Sequence, residues 1–411
     1  MLTTRYDLAA VRRNLMPRDQ WRPFPKASER EAWEALLASP LNRERRGLLV
    51  GQAEAVLGEP WPALPATTYM EFVRNGNRSR YEGPYFRRRR RLGSLVLAEC
   101  LEFQGRFLDE IANGLWAISE EVSWSVPAHA RNAPDPLPSA DAEMVDLFAA
   151  ETAMVVAETL YLVGDALREI SPALVKRLER ECIRRVIVPV ETRNDFWWFS
   201  GGNNWTPWIC SNVEGAAMYL LDDPDRLATL TYKMMETVDR FIGNYGPDGG
   251  CDEGPGYWGV AAGAMLLFLE ELYSRSDGAI SIYDDPLIVN MGRFIVDTHL
   301  SGPWYTNFAD APARLDLRRD VVYRYGERIG AELMKDAVLL AARDYDPGRE
   351  VYPVLNQKAN GGTLNHMLRE MFWIPADAEP KNVPNDVLNW FPDLQVMVAR
   401  ESPVLGQGLV L

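Results

Sequence analysis

The stretch Asp248-Gly249-Gly250-Cys251-Asp252-Glu253-Gly254-Pro255-Gly256-Tyr257-Trp258 joins two runs of strongly helical sequence. It carries three acids, four glycines and a proline, and ends in two aromatic residues. Glycine and proline at this density hold backbone angles that other residues avoid. Two readings are open: a helix–helix turn with a helix N-terminus at its end, or a loop that presents a site. Under either reading the chain is mainly α, because the segments on both sides are helical.

Upstream, Asp225 to Gly243 is amphipathic, with Leu227, Leu230, Met234, Val238 and Phe241 on one stripe. Downstream, Trp258 to Tyr273 is apolar all round, which predicts a buried helix. Farther back, residues 191–212 interrupt the helices with an aromatic, Gly-rich run, and a helix is predicted from about Asn212 to Leu221. Leu92–Gln104 and Phe107–Ser119 form an earlier helical pair. A long helix is predicted from about Ala140 to Glu169, and Ser171-Pro172 opens the next with an N-cap and a first-turn proline. Pro286–His299 and Glu327–Arg343 continue the series, separated by the loop Gly302 to Arg319. This alternation predicts helical hairpins closing into a toroid, without the fixed period of a repeat array. Residues 1–65 read as a helical preface ending in the stiff connector Trp61 to Pro65. A strand signal comes only at Leu394 to Arg400.

Composition narrows the function. The 411 residues are 47% hydrophobic and 25% charged, ordinary for a soluble globular protein. A net charge of −14 argues against general nucleic-acid binding, which needs a basic surface. Cys100, Cys182, Cys210 and Cys251 form no close pair, so neither a zinc site nor a disulfide framework is expected. The first residues lack an apolar signal core, and no run approaches the ~20 apolar residues of a membrane span. A cytoplasmic protein is expected, unless a signal was removed. The five arginines Arg87 to Arg91 read either as an anion-binding patch or as a solvated helix start partly paired with acids. The second is preferred, because charge runs are usually solvent faces.

Only His129, His299 and His366 are present, with no HExxH, no acidic calcium loop, no GxSxG elbow and no phosphate loop. No metal or cofactor is expected. What remains is polar and aromatic groups at loop tips: Asn203, Asn204 and Trp205; Asp252, Glu253, Tyr257 and Trp258; Asn307, Asp310 and Arg314; and His129. Gathered at one mouth, amides can neutralise a carboxylate, a tyrosine can move protons and tryptophans can stack on sugars. That set suits β-elimination from a uronic acid. Paired carboxylates such as Asp252 or Glu253 with Asp310 keep glycoside hydrolysis open, and a non-catalytic carbohydrate-binding protein is a third reading.

Gly202-Asn203-Asn204-Trp205 followed by Asp248-Gly249-Gly250 and Glu253-Gly254-Pro255-Gly256-Tyr257-Trp258 resembles the heparinase II/III-like polysaccharide lyases and their alginate-lyase relatives. Trp124 to His129, Phe308-Ala309-Asp310 and Phe391 to Arg400 extend the resemblance over most of residues 66–400. It implies an (α/α) toroid over 66–380, the start of a truncated antiparallel β-sandwich over 381–411, and cleavage of an acidic polysaccharide. By the resemblance Tyr257 is the proton-transfer acid/base and Asn204 neutralises the carboxylate. Asn203, Trp205, Glu253, Trp258, His129, Asp310 and Arg314 would then touch substrate. Two features depart from the family: Trp205 stands where many relatives have histidine, and the family's β-sandwich histidine has no counterpart here. The sequence leaves open whether His129 or His366 takes its place; His129, in a family-like motif, is the better cleft candidate.

Overall fold

The computed structural model describes residues 1–130, 135–139, 143–343 and 363–405. It is mainly helical. Buried helices alternate with amphipathic ones. Helix α1 (Ser79–Glu102) is followed by α2 (Leu108–Ser119), α3 (Leu147–Ile170) by α4 (Pro172–Cys182), and α5 (Trp205–Leu220) by α6 (Pro224–Gly243). A single turn, α7 (Pro255–Trp258), leads into α8 (Ala262–Arg275) and then α9 (Pro286–Asp297). Helices α10 (Arg319–Ile329), α11 (Glu332–Arg343) and α12 (Thr363–Trp373) complete the helical part.

The buried helices touch one another in succession. Helix α5 packs between α3 and α8, α3 against α1, α8 against α10, α10 against α12, and α12 against α1. Each also takes an amphipathic neighbour, as α3 does with α4 and α5 with α6. Helix α3 is long and apolar enough to cross a membrane, yet 94% of that window is buried among the other helices. The four cysteines are free and buried.

Several boundaries differ from the sequence reading. Helix α5 starts at Trp205 rather than near Asn212, so the Asn-Asn-Trp motif sits at a helix N-terminus. The expected helix Trp258–Tyr273 is two elements, because the chain turns between Trp258 and Ala262. The predicted start of the long helix at Ala140 lies outside the described residues. The helix itself begins at Leu147, where the Asp146 side chain accepts from Ala149 N at 2.7 Å. The run Glu327–Arg343 divides at Gly330, whose φ of 69° ends α10. Helix α9 stops at Asp297, and His299 begins a strand.

The arginine run keeps one half of the preferred reading, the pairing with acids, since Arg88 and Arg89 meet Glu121 and Arg91 meets Glu110, and corrects the other half, the solvated face. Arg89 lies inside the protein, with both guanidinium arms on Glu121 at 2.9 and 2.6 Å. Arg88 donates to the carbonyl of Pro62 and Arg91 to those of Val56, Glu59 and Pro60, so the two fasten the segment Val56 to Pro62 to α1. Only Arg87 fits the solvent-face reading. Planar, permanently charged guanidinium groups suit this work because they satisfy several buried carbonyls at once. The preface packs onto the body too: Trp33 is fully buried, and Asp239 on α6 accepts from the amides of Leu2 and Thr3.

Two antiparallel hairpins are present among the described residues: β1 (His299–Ser301) with β2 (Trp304–Tyr305), and β3 (Leu388–Phe391) with β4 (Val396–Ala399). The single predicted strand is therefore one arm of a pair. Phe391 and Val398 face inward, whereas Leu388, Trp390 and Met397 are exposed.

The buried interface of α5 contains an acid at a cost. Glu214 accepts from Thr231 Oγ1 at 2.6 Å, and burial pushes its carboxyl up to about 8. A group whose folded pKa is raised contributes its full stability below the ordinary carboxyl value of 4.5 and loses it as pH climbs to about 8. Glu214→Gln should raise Tm at about pH 8, change it little at about pH 5, and flatten the slope between them, as thermal melts across that range would show.

Candidate active site

Asn204 takes the N-cap position of α5 but does not cap it with its side chain. Instead, its amide reaches across to the next loop and donates to Glu253 Oε2 at 2.7 Å. Asparagine at an N-cap ordinarily accepts from its own helix. Spending the side chain on a tertiary contact binds the two motif-bearing loops together. Asn204 is 6% exposed. An amide nitrogen carries two hydrogens, so one remains after Glu253 is served. Asn203 is exposed, and its Oδ1 accepts from the Trp205 amide at 3.0 Å, shaping the turn.

Glycine explains how the loops approach. Gly254 has φ of 85°, and a Cβ there would stand 2.6 Å from the Phe308 carbonyl oxygen and 2.8 Å from Ala311 Cβ. At Gly256 a Cβ would meet Pro312 Cδ at 2.9 Å. Both positions therefore need glycine sterically. The contact draws the Phe308–Ala311 loop against α7 and carries Asp310 into electrostatic range of Glu253 and Tyr257.

The electrostatics follow. Burial raises the Glu253 carboxyl, Asp252 and Asp310 raise it further, and the Asn204 hydrogen bond opposes them. Burial, then Glu253 and Asp310, raise Tyr257 above an ordinary phenol. Tyr257 is therefore held neutral near pH 7, suited to giving a proton rather than to resting as a phenolate.

His129 lies in the same cluster. Its ring centroid is 4.5 Å from that of Trp205, and Trp205 is 4.8 Å from Trp197, which is 54% exposed. His129 Nδ1 is 2.6 Å from Asp146 Oδ2. A carboxylate accepts, so Nδ1 carries the hydrogen, and in the neutral ring the lone pair is then on Nε2. Asp146, 1% exposed, thus orients the imidazole with one oxygen and caps α3 with the other.

The candidates are not all brought together. Asn204, Glu253, Tyr257 and Asp310 converge, and Trp205 and His129 adjoin them. Trp258 does not face solvent: it is 1% exposed and its indole N–H donates to the Met291 carbonyl at 2.7 Å, so its expected contact with substrate gives way to packing. Arg314 is exposed and lies over the Trp304 ring at 5.3 Å, beside the β1–β2 hairpin. His366 pairs with Asp320 in a cleft one helical turn away. The sequence reading missed Asp146, Trp197 and, apart from His366, that cleft. Trp197 alone had a signal, in the run Phe196 to Phe199. Among the described residues no group of three or more His, Cys, Asp or Glu is arranged to hold a metal ion. Neither the protein-family models nor the curated proteins yield a match to this chain.

Gly254→Ala should destabilise the protein by about 1–3 kcal/mol, through left-handed strain and the clash with Phe308. Urea unfolding measures this. A wild-type midpoint and slope in the variant would refute the steric account of the loop contact.

Proposed function

We propose that this protein is a polysaccharide lyase that cleaves a uronic-acid-containing polysaccharide or oligosaccharide by β-elimination. The observation that carries the reading is the Asn204–Glu253 hydrogen bond, which couples an Asn-Asn-Trp helix start to the loop bearing Tyr257. The motif resemblance points the same way. So does the cyclic order of packings from α1 through α3, α5, α8, α10 and α12 back to α1, which we read as an (α/α) toroid with these loops at one mouth.

In this mechanism the free Asn204 N–H donates to the substrate carboxylate and withdraws charge from the carbanion-like state at C5. The C5 proton passes to His129 Nε2, whose other nitrogen is fixed by Asp146. The C5–H electron pair becomes the C4–C5 double bond, and the C4–O bond breaks. The departing oxygen takes the proton of Tyr257, which its acidic neighbours keep in place. The imidazolium and the phenolate then return to neutrality through solvent. Trp205 and Trp197 offer faces for sugar rings along the mouth.

A second reading draws on Glu253. A carboxyl raised by burial and by Asp252, with Asp310 nearby, has the character of a glycosidase general acid. The products separate the two. A lyase leaves a 4,5-unsaturated uronate with new ultraviolet absorbance, and a hydrolase leaves only new reducing ends.

Incubation with a panel of uronic polysaccharides should yield the unsaturated product. Tyr257→Phe should slow its formation by about 10²–10⁴-fold with substrate binding retained. Undiminished turnover in that variant would remove Tyr257 from the chemistry, and products lacking the double bond would favour the hydrolase.

A further inference from the structure

Two members of the arginine run have no role in the packing just described. Arg88, Arg89 and Arg91 serve acids and backbone carbonyls. Arg87 and Arg90 make no hydrogen bond and no ion pair among the described residues. They stand three residues apart on α1, and residues so spaced on a helix are neighbours whose like charges repel. Burial first, and then the charge of Arg87, lowers the Arg90 guanidinium from its ordinary value, and among the described residues no acid offsets them. The chain has 58 acidic residues against 44 Lys and Arg. With acids in such excess, two adjacent guanidinium groups left without one are a place for an anion that the chain does not supply.

The donors are accessible. Arg87 is exposed and Arg90 half-buried. No nitrogen of Arg90 is both sealed from solvent and unpartnered, whereas Nε of Arg91 is.

The position of the pair is tied to the proposed active site. Tyr85, two residues before Arg87, donates its hydroxyl to the Trp124 carbonyl at 2.6 Å, and Trp124 opens the run that ends in His129. The Phe86 ring centroid is 4.8 Å from that of Phe148, which stacks on His129 at 5.2 Å. Phe148 lies in the first turn of α3, next to the Asp146 cap. The part of α1 that carries Arg87 and Arg90 therefore adjoins the His129 side of the site.

A guanidinium binds a carboxylate through two parallel hydrogen bonds, and both groups have their donors to spare. A uronic-acid chain repeats its carboxylate from ring to ring. One chain can therefore present acids to Arg87 and Arg90 while another of its rings lies at Asn204. A nucleic acid also repeats its charge, but the net charge of −14 opposes it.

We propose that Arg87 and Arg90 form an electropositive subsite that holds carboxylates of the uronic chain on rings beyond the one being cleaved. The identity of that chain rests on the lyase reading above.

The test is calorimetric titration of the full chain carrying Tyr257→Phe, which slows turnover during the measurement. The probes are oligomers of galacturonate, glucuronate and alginate, the methyl ester of whichever binds best, and a single-stranded DNA of matched charge, all at equal ionic strength. At least one oligomer should bind. Adding Arg87→Gln and Arg90→Gln together should weaken it by at least about tenfold, the loss of charged hydrogen bonds. Lysine at both positions keeps the charge but not the fork and should cost less. The methyl ester, uncharged on the same rings, should bind more weakly and lose nothing further to the two substitutions. The free protein gives a second signature. Arg87→Gln should leave Tm unchanged or raise it, because it removes one of two like charges, whereas an arginine kept for structure would lower it. Failure of every oligomer to bind, unchanged affinity in the folded double Gln variant, an equal loss for the methyl ester or a fall in Tm with Arg87→Gln would each overturn the subsite. If the double Gln variant does not fold, unchanged affinity in the double Lys variant overturns it instead. DNA that matches the oligomer with the same arginine dependence would overturn the assignment to a uronic chain. The two proposals fail separately. Arginine-dependent binding without unsaturated product from any uronic polymer removes the lyase and keeps the subsite. Tyr257-dependent turnover with arginine-independent binding does the reverse.

Discussion

The hydrogen bond from Asn204 to Glu253 is the constraint on which the rest of the site depends. It joins segments 49 residues apart. Each arrives by a different local rule. The first is the N-terminus of a long buried helix, so its backbone direction is set by the packing of α5 against α3 and α8. The second is a glycine-rich turn whose geometry is set by the absence of side chains at Gly254 and Gly256. A rigid helix end and a sterically fixed turn leave little freedom at their meeting point. Tyr257, Glu253 and Asp310 therefore have defined neighbours, and the raised proton affinities of Tyr257 and Glu253 have defined causes. Pre-positioning of this kind lowers the reorganisation needed during proton transfer.

The interior repeats that logic with charge. Glu214 and Glu271 are buried in the heart of the helical packing, and Arg89 and Arg369 are buried with carboxylate partners. Such pairs recover little net stability once desolvation is counted. What they add is orientation, because a guanidinium accepts only a few planar arrangements of partners. The arginine run on α1 shows the effect plainly. Residues that composition assigns to solvent hold the segment Val56 to Pro62 against the first buried helix.

Legibility in the sequence followed the range of the interactions. Helical hairpins could be read because their signals are local: apolar spacing, proline in first turns and glycine at ends. The loop at residues 248–258 could be read because glycine and proline announce special backbone angles. The start of α5 was placed too late because Asn204 forgoes its capping role for a partner far along the chain. Pro207, tolerated in a first helical turn where amides lack partners anyway, was the available clue. Trp258 looked like a site aromatic because adjacency in sequence does not tell which way successive side chains of a helical turn point. Arg318, Asp320 and His366 carry no periodic pattern, and only three-dimensional packing brings His366 to the other two.

Asp146 is the point where structure and chemistry share one functional group. One carboxylate oxygen closes the first turn of the longest apolar helix, and the other holds the His129 imidazole in a single tautomer. A substitution at Asp146 would therefore disturb both contacts at once. The fold itself thus maintains the anchoring half of the dyad, a buried aspartate with both oxygens in use.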